Sequence, residues 1–161
     1  MGYTNAGKST LINTLTQSDI YVKDQLFATL DPSSRRLKFP RDVEVIITDT
    51  VGFIRDLPKE LIESFKATLE ELESADILLH VIDISNPNFE RHIKSVTKIL
   101  SGLNLDLIPV INVFNKMDIA DDDQMNKVTL YPESVLVSAS RKSTLMPLVN
   151  KLEMMVKGLM I

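Results

Sequence analysis

A chain of 161 residues, 44% of them hydrophobic, has the length of about one domain and enough apolar side chain for a single core. A formal charge of −4 at pH 7 excludes a global basic field, so no DNA partner is expected and any RNA contact must come from a local patch. The lack of cysteine excludes disulfides and thiolate metal sites, and two distant histidines, His80 and His92, argue against a histidine zinc site. No run approaches the roughly 18–20 apolar residues of a membrane span and no signal-peptide pattern opens the chain, which makes a cytoplasmic protein with no membrane partner the expectation.

Helix-like and strand-like segments alternate along the chain. Leu11, Ile12 and Leu15 at helical spacing predict a helix over 9–16. Residues 17–34 are polar, with Asp31-Pro32-Ser33-Ser34 as a turn signal. Weak alternation over 35–40 suggests an edge strand, and the β-branched run over 43–48 a second strand. Leu61, Ile62, Phe65, Leu69 and Leu72 form one stripe of a helix over 58–74, with Pro58 tolerable in the first turn. The nearly unbroken apolar run 77–84 reads as a strand covered on both faces. A helix over 89–100, a buried strand over 108–114, a short polar helix over 121–128, a strand over 134–137 and an amphipathic helix over 145–160 complete the chain. The acidic residues 121–123 suit a helix start, and the apolar stripe of the last helix suits the domain's own core. This alternation predicts an α/β domain, doubly wound, with a mostly parallel sheet flanked by helices.

Gly2-Tyr3-Thr4-Asn5-Ala6-Gly7-Lys8-Ser9 has two glycines framing four residues, then Lys-Ser, the phosphate-loop pattern of P-loop NTPases. The glycines let successive N–H groups turn inward toward phosphate, and the helix that begins near Lys8 adds its positive end. Lys8 can reach the β- and γ-phosphates, the Ser9 hydroxyl can ligate Mg2+, and Thr10 continues the binding segment. Asp49-Thr50-Val51-Gly52 follows the strand over 43–48, where a carboxylate faces the ligand crevice and can hold Mg2+ through water. Gly52 there can offer its N–H to a γ-phosphate. Asn115-Lys116-Met117-Asp118 follows the strand over 108–114. Asp118 can accept two N–H bonds from guanine, which adenine does not offer, with Asn115 and Lys116 bracing loop and base. Ser138-Ala139-Ser140 follows the last strand and suits backbone contact with the guanine O6. Each of these has a bland alternative as a turn. All four in order, three of them closing predicted strands, point to GTP or GDP.

These residues resemble those of the translation-factor-related GTPases, and most closely the HflX family. GYTNAGKSTLINTLT over 2–16, LFATLDPSSRRL over 26–37 and TDTVGFIRDLPKELIESFKATLEE over 48–71 carry the resemblance, which covers essentially the whole chain. It implies that Phe27, Ala28, Thr29, Leu30 and Asp31 are the switch I segment, with the Thr29 hydroxyl on Mg2+ in the GTP state. Lys8 and Thr29 are then the groups assigned to catalysis, and Ser9 and Thr29 to the metal. Ras-like enzymes carry a water-orienting glutamine after the DxxG glycine. Here Phe53 stands at that position and cannot hydrogen-bond water, which implies slow hydrolysis or help from a partner. Asn5 occupies the phosphate-loop position that helps bind K+ in potassium-activated GTPases; the alternative is a loop brace. The resemblance also implies a cytoplasmic partner, the large ribosomal subunit and its rRNA. Arg35, Arg36, Lys38 and Arg41 are the local basic cluster that could serve it, or could simply guard a sheet edge.

A phosphate loop normally follows a buried strand, yet only Met1 precedes Gly2, so the first strand of the sheet is expected to be missing. Residues 1–161 then read as an N-terminally truncated HflX-type G domain. Three readings stay open: a slow GTPase, a non-catalytic GTP-sensing module that binds the ribosome, and an inactive fragment. No catalytic base is identified, and nothing singles out Arg55 as an arginine finger.

Overall fold

The computed structural model describes residues 1–16, 34–39, 43–49 and 72–159. Helix α1 (Lys8–Thr16) is followed by strands β1 (Ser34–Lys38), β2 (Glu44–Thr48) and β3 (Leu78–Asp83). Then come α2 (Phe89–Gly102), β4 (Val110–Asn115), α3 (Asp122–Val128), β5 (Ser134–Leu136) and α4 (Met146–Leu159). All but one of the predicted elements appear within a residue or two of their expected bounds. The helix expected over 58–74 lies mostly outside the described residues.

Strands β3, β4 and β5 form a parallel sheet in that order, with Val81 opposite Val113 and Val113 opposite Val135. β1 and β2 form a separate antiparallel ribbon, Arg36 opposite Ile46. Alternation along β4 divides the core between the sheet's faces. Ile111 and Val113 pack with Leu11 and Leu15 of α1, Leu37 of β1 and Leu148 of α4. Phe114, on the other face, packs with Ile82, Phe89 and Ile93, and its ring meets that of Phe89 edge-on at 5.9 Å. Burying both faces is why β3 and β4 read as continuous apolar runs.

The helices follow their sequence stripes. α2 buries Phe89, Ile93, Val96 and Leu100, one residue per turn on one side. α3 starts with a capping box: Asp121 accepts from Gln124 N–H at 2.7 Å, and Gln124 Oε1 accepts from Asp121 N–H at 3.0 Å. The acidic residues are therefore a cap and first turn. α4 buries Leu148, Val149 and Leu152, so its stripe serves the domain's own core.

The edge of β3 away from β4 meets the chain's first residue. The Met1 ammonium donates to Leu79 O at 2.8 Å, and Val81 N–H donates to Met1 O at 2.9 Å. Met1 is buried and thus stands as a one-residue parallel neighbour of β3.

Candidate functional site

The loops that follow β3, β4 and β5 emerge from one end of the parallel sheet, where open α/β sheets place their ligand crevice. The phosphate loop arrives at the same end. Gly2 has φ of +149°, and a Cβ there would lie 2.3 Å from Val81 O, so only glycine lets the loop run this close to β3. Gly7 has φ of +93°, and a Cβ there would lie 2.3 Å from Asn115 Nδ2. Asn5 takes the left-handed conformation at φ of 64°, which asparagine tolerates better than most residues. α1 begins as Leu11 N–H bonds Gly7 O at 2.9 Å.

Lys8 folds back over the loop, its Nζ donating to Gly2 O at 3.1 Å and Tyr3 O at 3.0 Å. Burial lowers its pKa, and the Asp49 carboxylate partly opposes that. Ser9 Oγ donates to Asp49 Oδ2 at 3.1 Å, joining the first turn of α1 to the end of β2. A hydroxyl and a carboxylate beside a lysine form the oxygen-donor set a hard cation prefers, so these residues fit Mg2+ with phosphate and water completing its shell. Thr4 and Thr10 are exposed on the same loop and helix start.

On the base side, Asn115 is the central tie. It is 2% exposed; its Nδ2 donates to Ala6 O at 2.8 Å and its Oδ1 accepts from Ala139 N–H at 2.8 Å. One side chain thus joins the phosphate loop, the loop after β4 and the loop after β5. Lys116 has φ of 67° and its Nζ reaches Asp83 Oδ2 at 2.6 Å. Asp83 Oδ1 accepts from Ser85 Oγ at 2.6 Å. Met117 N–H bonds Val137 O at 3.2 Å, holding the two base-side loops together. The Asp118 carboxyl is held below its usual range, first by the Ser138 hydroxyl, then by its own N–H, with Arg141 3.9 Å away contributing. It is therefore ionised and acceptor-only at neutral pH. Ser138 N–H donates to Thr144 Oγ1 at 2.9 Å, and the Ser138 and Ser140 hydroxyls lie 3.1 Å apart.

The structure therefore gathers residues 2–10, Asp49, 115–118 and 138–140 at one end of the fold. Phe27, Ala28, Thr29, Leu30 and Asp31 lie outside the described residues, as do Thr50, Val51, Gly52, Phe53 and Arg55. Sequence reasoning missed Asp83, the partner of Lys116, and Thr144, which closes the loop after β5. It also missed the stack of Tyr3 on His92, ring centroids 3.9 Å apart, which fastens the phosphate loop to α2. Asp83 was findable, since it ends an apolar strand. Thr144 and the ring stack carry no local signal.

The fold and these loops define a P-loop GTPase domain. The chain belongs to the family described as 50S ribosome-binding GTPase, which it matches over residues 1–116. Its relatives are HflX GTPases, as the motifs implied. It is 47% identical over 160 residues to GTPase HflX of Alkalihalophilus pseudofirmus, covering 99% of this chain and 37% of that protein. It is 59% identical over 121 residues to GTPase HflX of Caldanaerobacter subterraneus subsp. tengcongensis, covering 75% and 28%. The chain thus spans about a third of the length of these relatives. Among solved structures it resembles a GTP-binding protein from Sulfolobus solfataricus in complex with GDP. That likeness has a TM-score of 0.76 at 27% identity and covers 98% of this chain and 51% of that one.

Proposed function

We propose that residues 1–161 form the G domain of an HflX-type protein, binding GTP with Mg2+ and hydrolysing it slowly to GDP. The observation that carries this reading is the Asn115 tie, because it fixes the distance between a phosphate loop and a base-side carboxylate. Asp118 would accept the two guanine N–H bonds, and the backbone of Ser138, Ala139 and Ser140 would face O6. Lys8 and the loop N–H groups would stabilise charge on the transferring phosphoryl group. Ser9 would hold Mg2+ directly and Asp49 through water; bound Mg2+ would neutralise the β- and γ-phosphate oxygens. Thr29 as second metal ligand and catalytic group rests on the HflX resemblance, and K+ beside Asn5 on its phosphate-loop position.

The large ribosomal subunit is the proposed partner, from the family's description, with Arg35, Arg36 and Lys38 on β1 as its rRNA-facing charges. No helix among the described residues is long and apolar enough to cross a membrane, and a cytoplasmic location is part of this proposal. Phe53 favours a second reading, a GTP-sensing module that leaves turnover to its partner. Phosphate release from the purified chain, with and without large subunits, separates them. Slow release that the subunits accelerate supports the GTPase; no release in either condition supports the sensor.

A further inference from the structure

β3 and β4 end side by side, with Asp83 opposite Asn115 and Ile84 N–H donating to Asn115 O at 3.1 Å. The residue just beyond Asn115 can therefore reach back across the strand ends. Lys116 does so: its Nζ meets Asp83 Oδ2 at 2.6 Å, with the lysine side chain 32% and the aspartate side chain 19% exposed. Partly shielded in this way, the pair is less screened than a surface salt bridge. The backbone around Lys116 is held on both flanks, by the buried Asn115 amide and by the Met117 N–H bond to Val137 O. The Asp83 carboxylate is fixed in turn. Its Oδ1 accepts from Ser85 N–H at 3.0 Å and from Ser85 Oγ at 2.6 Å. Ser85 O accepts from Gln124 Nε2 at 3.1 Å, and Gln124 belongs to the capping box of α3. A chain of contacts thus runs from the start of α3 through Ser85 and Asp83 to the lysine of the base-side loop.

We propose that Asp83 is a positioning residue for guanine nucleotides: it anchors the Lys116 ammonium so that the lysine stem forms one wall of the base pocket. The proposal rests on the guanine site read above from Asn115 and Asp118. A lysine joins a flexible apolar stem to a strongly hydrated charged head, and the stem covers a flat ring well when the head is satisfied elsewhere. Asp118, two residues further on, would take the in-plane bonds of the base, and Lys116 would cover its face. An unanchored lysine spreads over many rotamers, and ordering them on binding opposes affinity. The ion pair with Asp83 removes that freedom within the fold itself. Asp83 acts here through Lys116 without touching the nucleotide. Its effect falls on how long the nucleotide stays rather than on how fast it arrives.

The full chain is compared with Asp83→Asn, Lys116→Met and the double variant, by stopped-flow association and release of a fluorescent GDP analogue. Each single substitution should speed release roughly five- to twentyfold and leave association within about twofold. The double variant should release no faster than the faster single one, because both changes remove the same contact. Without nucleotide, mild acetylation read by peptide mass spectrometry should modify Lys116 faster in Asp83→Asn than in the parent chain; equal rates overturn the proposal. Release unchanged by Asp83→Asn also overturns it, as do effects that multiply in the double variant, since Asp83 would then serve only its own loop. Should Asp83→Asn fail to fold, Ser85→Ala carries the test by loosening the carboxylate. Faster release in the parent chain but not in the Lys116→Met background supports the proposal, and unchanged release overturns it. Binding that ignores Asp83 strikes this proposal alone, whereas a parent chain that binds no GDP strikes the guanine-site reading with it.

Discussion

The base side and the phosphate side of this site are built by different means. On the base side, Ile111, Val113, Phe114 and Val137 are fully buried, the loops after β4 and β5 are cross-tied by Asn115 and Met117, and Thr144 closes the second of them. On the phosphate side, the loop leans on β3 through Met1, and Ser9 and Asp49 meet through one exposed hydroxyl–carboxylate bond. The base-side platform is thus held by the fold's own side chains and backbone. The phosphate side has its backbone shape but leaves Ser9 and Asp49 holding each other. On the proposed reading, the base side already has the shape that guanine would need, and Mg2+ would have to part the Ser9–Asp49 pair.

Cutting the link between the two sides should have the largest effect. Asn115→Ala leaves the buried Ala6 O and Ala139 N–H without their partner, at about 1–3 kcal/mol each. Denaturant melts should show a loss of about 2–5 kcal/mol, and both guanine and phosphate contacts should weaken together. A loss confined to one side would break the comparison.

Acid should damage the phosphate side first. Burial, with Lys8 repulsion, lowers the Met1 ammonium from 8.0 to about 5, and burial, with the nearby ammonium, lowers His80 from 6.5 to about 3. Both groups bind protons more readily in the unfolded chain, so stability rises with pH. The Met1 share is complete above pH 8 and is lost as pH falls toward 5; the His80 share is complete above 6.5 and is lost toward 3. Each group contributes up to about 1.4 kcal/mol per pH unit across its window. Melts at pH 5.5 and 8 should differ by about 2–4 kcal/mol, and acetylating Met1 should remove the part above pH 6.5. A flat profile over pH 5.5–8 contradicts the buried ammonium.

Asp118→Asn sharpens the comparison by altering only the base side. Losing charge-assisted bonds to guanine should weaken GDP binding roughly 10- to 150-fold while leaving the melting midpoint within about 2 °C. Calorimetric titration with GDP measures it. The smallest effect belongs to Arg141→Ala. Arg141 is mostly exposed and 3.9 Å from Asp118, so its removal should change GDP affinity less than about threefold.

Much of this was legible in the sequence because it rests on local periodicity and punctuation. The alternating apolar runs placed every described strand, and the glycine spacing marked a loop whose φ values of +149° and +93° require it. The role of Asn115 as a loop brace was legible too. Its reach to Ala6, 109 positions away, was not, because no spacing rule connects residues that meet only after the sheet forms. The same holds for the Lys116–Asp83 pair and the Tyr3–His92 stack.

The central claim is that this chain carries a guanine-selective phosphate-loop site, and competition binding tests it most directly. A fluorescent GDP analogue is titrated with the purified chain in Mg2+ buffer and then displaced by GTP, GDP or ATP. The account predicts saturable binding that GTP and GDP reverse at micromolar concentrations and that ATP leaves unchanged at a hundredfold excess. Displacement by ATP as effective as that by GTP, or no saturable binding at all, would contradict it.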